Sequence, residues 1–333
     1  MNNHKGVFIL GEILNGKLAP ITIELLGIGR KLANELGEEL SLLLIGSNLS
    51  DLSKEAIAFG ANKVYVNEDP LFDNYNPDVF AQITTKLCQK ILPSIILIGH
   101  TDIGADLAPR LNARLGGGLS MDCIDLSIDP QNKFLIMTRP IFGGNAYAKV
   151  ISKTARPQMA TIRPKVVPPA QRDSSREGQV IPLDEKIDSS LIKIKMIEKI
   201  KEEVEGVKLE EAEVVVSGGH GIGSAQNFEM LKELANILGG AVGATRRACD
   251  EGWVPVTLQI GQTGKVVSPK IYIAVALSGA MSHIVGCLGS KYIVAINKDP
   301  EANIFNVAHF GIVADYKEVL PALTAKLKEL LSK

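Results

Sequence analysis

Apolar and polar positions alternate along the first half of the chain with two different periods. Residues 5–13, 40–45, 63–66 and 94–99 are short runs rich in Val, Ile and Leu, of a length that suits strands. Residues 19–36, 78–92 and 103–115 instead repeat apolar side chains every three or four positions, as at Ile21, Leu25, Ile28 and Leu32. That period predicts helices with one buried face. Another helix should begin at Ser50 or Asp51, either of which can cap it. Strands separated by helices of this length pair in parallel through right-handed crossovers, which predicts a doubly wound α/β sheet.

Past Gly116-Gly117-Gly118 the helical period is lost. Residues 123–128, 133–138, 146–151 and 158–162 are four strand-like runs with no helix between them, predicting an antiparallel extension of the same sheet. Residues 163–190 then mix Pro164, Pro168, Pro169 and Pro182 with many charged side chains. Proline removes donors and fixes the backbone, so this stretch is expected to be an exposed connection closing a first domain of residues 1–190.

The α/β alternation restarts in a second domain, residues 206–333. Strands are predicted at 213–216, 241–244, 271–277, 292–296 and 311–314, with helices at 225–238 and 316–331. Residues 271–277 form an unbroken apolar run between Pro269 and Gly279, as in a strand buried on both faces. The Ser278-Gly279-Ala280 turn beyond it is expected to open a helix, whose free N–H groups and positive dipole end suit a phosphate. Ligands of open α/β sheets sit beyond the carboxyl ends of the strands. Ser217, Thr245, Arg246, Ser278, Asn297 and Asp315 all fall at such ends, which points to one large ligand in this domain.

Composition narrows the class of ligand and partner. The net charge of −1 gives no long-range attraction for nucleic acid or an anionic membrane, and aromatic residues are only 5%. No apolar run approaches the roughly 20 residues that cross a bilayer. The amino-terminal segment carries no signal-peptide pattern, so a cytoplasmic protein is expected. Cys88, Cys123, Cys249 and Cys287 are far apart and form no C-x-x-C pair, which argues against a metal site or disulfide framework.

Individual motifs leave two readings open. The run Gly218–Gly223 has the spacing G-G-x-G-x-G and lacks the acidic residue of a nicotinamide fingerprint, so a tight strand-to-helix turn and a direct ligand role stand side by side. Thr263, between Gln262 and Gly264 in the loop Gly261–Gly264, either stabilises a turn or donates a hydrogen bond to a ring nitrogen. His283 lies either on a helix surface or toward a cofactor oxygen. Arg246 and Arg247 are adjacent and cannot share a face, so one of them could approach a ring. No nucleophile–base pair or metal spacing is visible.

Taken together, VVSGGHGIGSAQNF (215–228), GATRRACDEGWVP (243–255), QIGQTGKVVSPKIYIAVALSGAMSH (259–283) and IVAINKDPEANIFNVAHFGIVAD (293–315) resemble the FAD domain of the electron-transfer flavoprotein α subunit. GADLAPRLNARLGGGLSMDC (104–123) resembles that family's nucleotide-binding-like first domain. The resemblance implies bound FAD and assigns roles. Thr263 matches the donor to flavin N5, with Gln262 and Gly264 in the same loop. His283 matches an imidazole near flavin O2, where positive character favours negative charge on the ring. Arg246 matches the arginine against the ring, and Thr245 stands where the family often has serine. Ser278, Gly279 and Ala280 match the pyrophosphate cradle, while Asn297, Lys298, Asp299 and Asp315 match positions around the adenosine half.

Two departures from the family pattern stand out: His220 replaces an arginine common in the glycine loop, and Ser282 replaces a glutamine before the histidine. RPIFGGNAYAKV (139–150) and RPQMATIRP (156–164) resemble α subunits of anaerobes, some of which work in electron bifurcation with NADH. Certain relatives carry a ferredoxin-like cysteine extension, and none is expected for this chain. The implied partners are a β subunit carrying AMP or a second FAD, an acyl-CoA dehydrogenase or similar redox protein, and NADH and ferredoxin in a bifurcating complex. The first domain is expected to dock on the β subunit, and the FAD domain to pivot near 163–190 and 197–210. A rival reading, an NAD-dependent oxidoreductase on a small substrate, would need the fingerprint and catalytic base that the chain lacks.

Overall fold

The computed structural model describes residues 4–144, 146–184, 187–198 and 207–331. The chain divides into two compact units, one of Met1–Ile141 with Asn145–Lys199, the other of Phe142–Gly144 with Ile200–Lys333. Most of the second expected pivot, at residues 199–206, lies outside the described residues, as does Asn145 of the RPIFGGN motif.

In the first unit, β1 (Val7–Leu10) is the central strand. A small hairpin, β2 (Ile13–Leu14) with β3 (Lys17–Leu18), leads to α1 (Pro20–Leu36). Then come β4 (Leu40–Gly46), α2 (Ser50–Ala58), β5 (Lys63–Glu68), α3 (Pro77–Ile91), β6 (Ile95–Gly99) and α4 (Asp102–Leu115). β1 shows why a continuous apolar run becomes a central strand: Val7 and Ile9 enter the core on one face, Phe8 and Leu10 the core on the other. Local signals set the helix ends. Pro20 occupies the first turn of α1 and Gly37 closes it at φ 67°, where a side chain would be strained.

Beyond β7 (Gly118–Cys123) the arrangement differs from the expected extension of the same sheet. β8 (Asp125–Ile128), β9 (Leu135–Ile141) and β10 (Ala146–Ile151) form a separate antiparallel sheet. β11 (Gln158–Ile162) returns to the main sheet and pairs in parallel with both β6 and β7. All five of its residues are buried, so its short apolar run belongs to a central strand rather than to a meander.

Residues 163–190 also differ from a free connection. They are exposed for most of their length, yet Ala170 N–H donates to Ile23 O at 3.0 Å and Lys165 N–H donates to the Glu24 carboxylate at 2.8 Å. β12 (Gln179–Pro182) adds in parallel to β5, giving the order β12-β5-β4-β1-β6-β11-β7. A short, exposed strand ending in proline is tolerated there because it is an edge strand.

In the second unit the order is β14-β13-β15-β16-β17, all parallel: β13 (Val214–Gly218), β14 (Ala241–Ala244), β15 (Ile271–Val275), β16 (Tyr292–Asn297) and β17 (Phe310–Val313). Its helices are α5 (Phe228–Ile237), the short α6 (Arg246–Asp250), the single turn α7 (Met281–Ile284) and α8 (Tyr316–Leu331). β15 is again two-faced, with Tyr272 and Ala274 in one core and Ile273 and Val275 in the other. Among the described residues no helix is long and apolar enough to cross a membrane.

Candidate functional site

The carboxyl edge of the second sheet is built from segments tied together by main-chain hydrogen bonds. Past β14, Thr245 N–H donates to Gly218 O at 3.0 Å, so the ends of β13 and β14 stay in register. The loop of residues 259–265 is sewn to that edge where Ile260 N–H donates to Ala244 O at 2.9 Å. Its other side is held by Gln262 N–H donating to Ser282 O at 2.7 Å. Thr245, Arg246, the glycine-flanked loop and α7 are thereby brought to one place, although up to 39 positions separate them in sequence.

Glycines are required where these segments cross. Gly279 has φ 79°, and a Cβ there would strike the backbone of Asn303 and Ile304. In the glycine run, a side chain at Gly219 or Gly221 would meet Ala276 and Leu277 at the end of β15. Close packing of a strand-to-helix turn thus accounts for these two residues. His220 in that run stacks on Trp253, with ring centroids 5.3 Å apart and planes at 17°, and its Nε2 lies 3.7 Å from the Glu251 carboxylate.

Thr263 is exposed, but the direction of its hydroxyl is set from below. Gln259 Nε2 donates to Thr263 Oγ1 at 2.9 Å, and Gln259 is only 5% exposed. Arg246 opens α6 with its guanidinium in solvent and a loose 3.5 Å approach to Asp250. Ser278 and Ala280 are exposed and Gly279 is buried between them. The helix expected beyond them is reduced to the one turn of α7, so the cradle is a short turn rather than the end of a long dipole.

His283 differs most from its expected position. It is buried, with Nδ1 2.9 Å from Ile260 O and Nε2 2.8 Å from the Tyr272 hydroxyl. Since the carbonyl can only accept, Nδ1 carries the proton and Nε2 accepts from Tyr272. Burial lowers the imidazole pKa to about 4, so the ring is neutral near pH 7. Positive character at this position is therefore not present in the structure, and neither nitrogen points to open space.

The acidic and amide positions are partly committed as well. Asn297 Nδ2 donates to Leu277 O at 2.9 Å and Asn297 Oδ1 accepts from Asp299 N–H at 3.0 Å, which ties the ends of β15 and β16 together. Asp299 accepts from Glu301 N–H and Asp315 from Lys317 N–H, each carboxylate closing a local turn. Lys298 is exposed. Sequence reasoning missed Gln259 and Tyr272. For Tyr272 a signal existed, because a tyrosine inside an apolar strand needs a partner for its hydroxyl. Gln259 carried none beyond its place at the head of the loop.

A family model for the electron transfer flavoprotein domain matches residues 7–187, and one for the electron transfer flavoprotein FAD-binding domain matches residues 208–288. The chain belongs to the electron transfer flavoprotein family. It is 47% identical over 330 residues to the electron transfer flavoprotein subunit alpha of Thermoanaerobacterium thermosaccharolyticum, covering 99% of this chain and 100% of that one. The subunit alpha of Megasphaera elsdenii is 44% identical, over 98% of this chain and 97% of its own. A protein of Acetobacterium woodii named lactate dehydrogenase (NAD(+),ferredoxin) subunit LctC is 36% identical, over 98% of this chain and 77% of its own.

FAD is the cofactor of this electron transfer flavoprotein domain. The residues fit it. Thr245 Oγ1 is buried at the strand end with no protein partner among the described residues, an arrangement that costs about 1–3 kcal/mol unless a ligand supplies the bond. Exposed Thr263 and Arg246 offer a hydroxyl and a guanidinium beside it.

Proposed function

We propose that this chain is the α subunit of a heterodimeric electron-transfer flavoprotein of the cytoplasm. In this reading its FAD takes electrons from one redox partner and passes them to another. The first unit docks on a β subunit that carries AMP or a second FAD. The observation that carries the reading is the convergence of Thr245, Arg246 and the Thr263 loop at the carboxyl edge of one parallel sheet.

When bound, FAD supplies reversible electron uptake at its isoalloxazine ring. The chain holds and tunes that ring. Thr263 would hold the ring by a hydrogen bond from its hydroxyl to N5. Arg246 would hold the ring with its guanidinium, giving up an exposed ion pair with Asp250 that is worth little. The turn Ser278–Ala280 would take the pyrophosphate, and Asn297, Lys298, Asp299 and Asp315 would hold the adenosine half. Donors aimed where negative charge develops favour the reduced ring. His283 would reach flavin O2 only by exchanging its bond to Tyr272, so Thr263 and Arg246 would carry most of the tuning.

Co-expression with a β subunit of the family tests this. A one-to-one complex that shuttles electrons from an acyl-CoA dehydrogenase is expected, and a chain that transfers them alone would overturn it. The name of the Acetobacterium relative supports a second reading, in which the heterodimer exchanges electrons with NADH and ferredoxin by bifurcation. NADH oxidation by the purified pair should then require oxidised ferredoxin and a higher-potential electron acceptor together, and equal rates with either acceptor alone would count against it.

A further inference from the structure

We propose that Gln259 is a positioning residue that makes Thr263 a hydrogen-bond donor to the ligand, an inference that rests on the flavin reading above. A threonine hydroxyl has one proton to give and two lone pairs to offer. With the Gln259 amide N–H placed on one lone pair at 2.9 Å, the Thr263 proton cannot point inward and is left for the exposed side of the loop.

Gln259 is well fixed for this task. Its N–H donates to Val256 O at 3.0 Å and its carbonyl accepts from Lys265 N–H at 2.8 Å. Gly264 packs so closely on it that a Cβ at that glycine would strike both the Gln259 backbone and its Cγ. Gly261, at φ 140°, lets the loop pass against the backbone of Ser282 and His283. The side chain therefore extends from a clamped, buried base toward an exposed hydroxyl. An amide turned the other way would present its oxygen, take the Thr263 proton and leave the ligand facing only lone pairs.

The test uses the FAD-loaded heterodimer and reads the oxidised–reduced equilibrium of the flavin against a reference dye. Gln259→Met removes the donor at similar volume, and Gln259→Glu replaces it with an acceptor that draws the hydroxyl proton inward. Each should shift the equilibrium toward the oxidised form by roughly three- to tenfold, the worth of one hydrogen bond. In a Thr263→Val background both shifts should shrink, which separates the hydroxyl route from the added charge of Glu. A merely structural role would make Gln259→Glu, which keeps a hydrogen bond to Thr263, the milder change. The proposal is overturned if both variants leave the equilibrium unchanged while Thr263→Val moves it, or if the shifts persist in the valine background. If Thr263→Val itself has no effect, the N5 contact falls and the proposal with it. A heterodimer that holds no FAD would instead sink the flavin reading.

Discussion

A neutral imidazole with both nitrogens occupied is sensitive to acid, and His283 is placed in that way. Its pKa is held near 4 by burial, against an ordinary 6.5. Between those values the unfolded chain binds the proton and the native chain does not, so stability falls as pH drops from about 6.5 to about 4. The full loss is about 3 kcal/mol for a shift of that size. Urea midpoints of the second unit across this range should fall with acid, and His283→Gln should flatten the dependence. Equal slopes for both proteins would mean the ring is not buried as described. The same residue shows the limit of sequence reading: its spacing from Ser278 was legible, but the Tyr272 hydroxyl and the Ile260 carbonyl that occupy its two nitrogens come from elsewhere in the chain.

At the scale of elements, α1 and the strap of residues 163–190 are linked by an unusual carboxylate. Glu24 is only 6% exposed, accepts from Lys165 N–H, and is pushed up to about 7 by burial. Its raised value makes the native first unit hold a proton that the unfolded chain has lost. Stability is therefore full below about 4.5 and declines as pH rises through 7, the reverse of His283. Glu24→Gln keeps an acceptor for Lys165 and should remove that decline in a denaturant titration. Gly279 makes a second case. Gly279→Ala forces a side chain into φ 79° and against the Ile304 backbone, and should cost roughly 1–3 kcal/mol in the second unit. Little change in its melting would argue against the turn geometry.

These elements also divide by how readable they were. Apolar runs buried on two faces, such as Val7–Leu10 and Ile271–Val275, announce strands, and the three-to-four spacing of α1 announces its helix. Gln179–Pro182 is only four residues long, mostly exposed and ends in proline, so only its partner β5 makes it a strand. The separation of β8–β10 from the main sheet is set by which edges are free to pair, a tertiary property that no local pattern encodes.

At the scale of the whole molecule, a chain of net charge −1 has no strong field to recruit partners over distance, so recognition must rest on fitted surfaces. Family membership fixes FAD as the cofactor, and the second unit offers the side chains for it in one place. Diffraction from crystals of the copurified heterodimer is the most direct measurement. The expected result is an isoalloxazine ring at the carboxyl edge of β14 and β15, with Thr263 within hydrogen-bonding distance of N5 and Arg246 against the ring. Electron density in that place for a molecule without an isoalloxazine, or FAD bound elsewhere on the pair, would contradict the account.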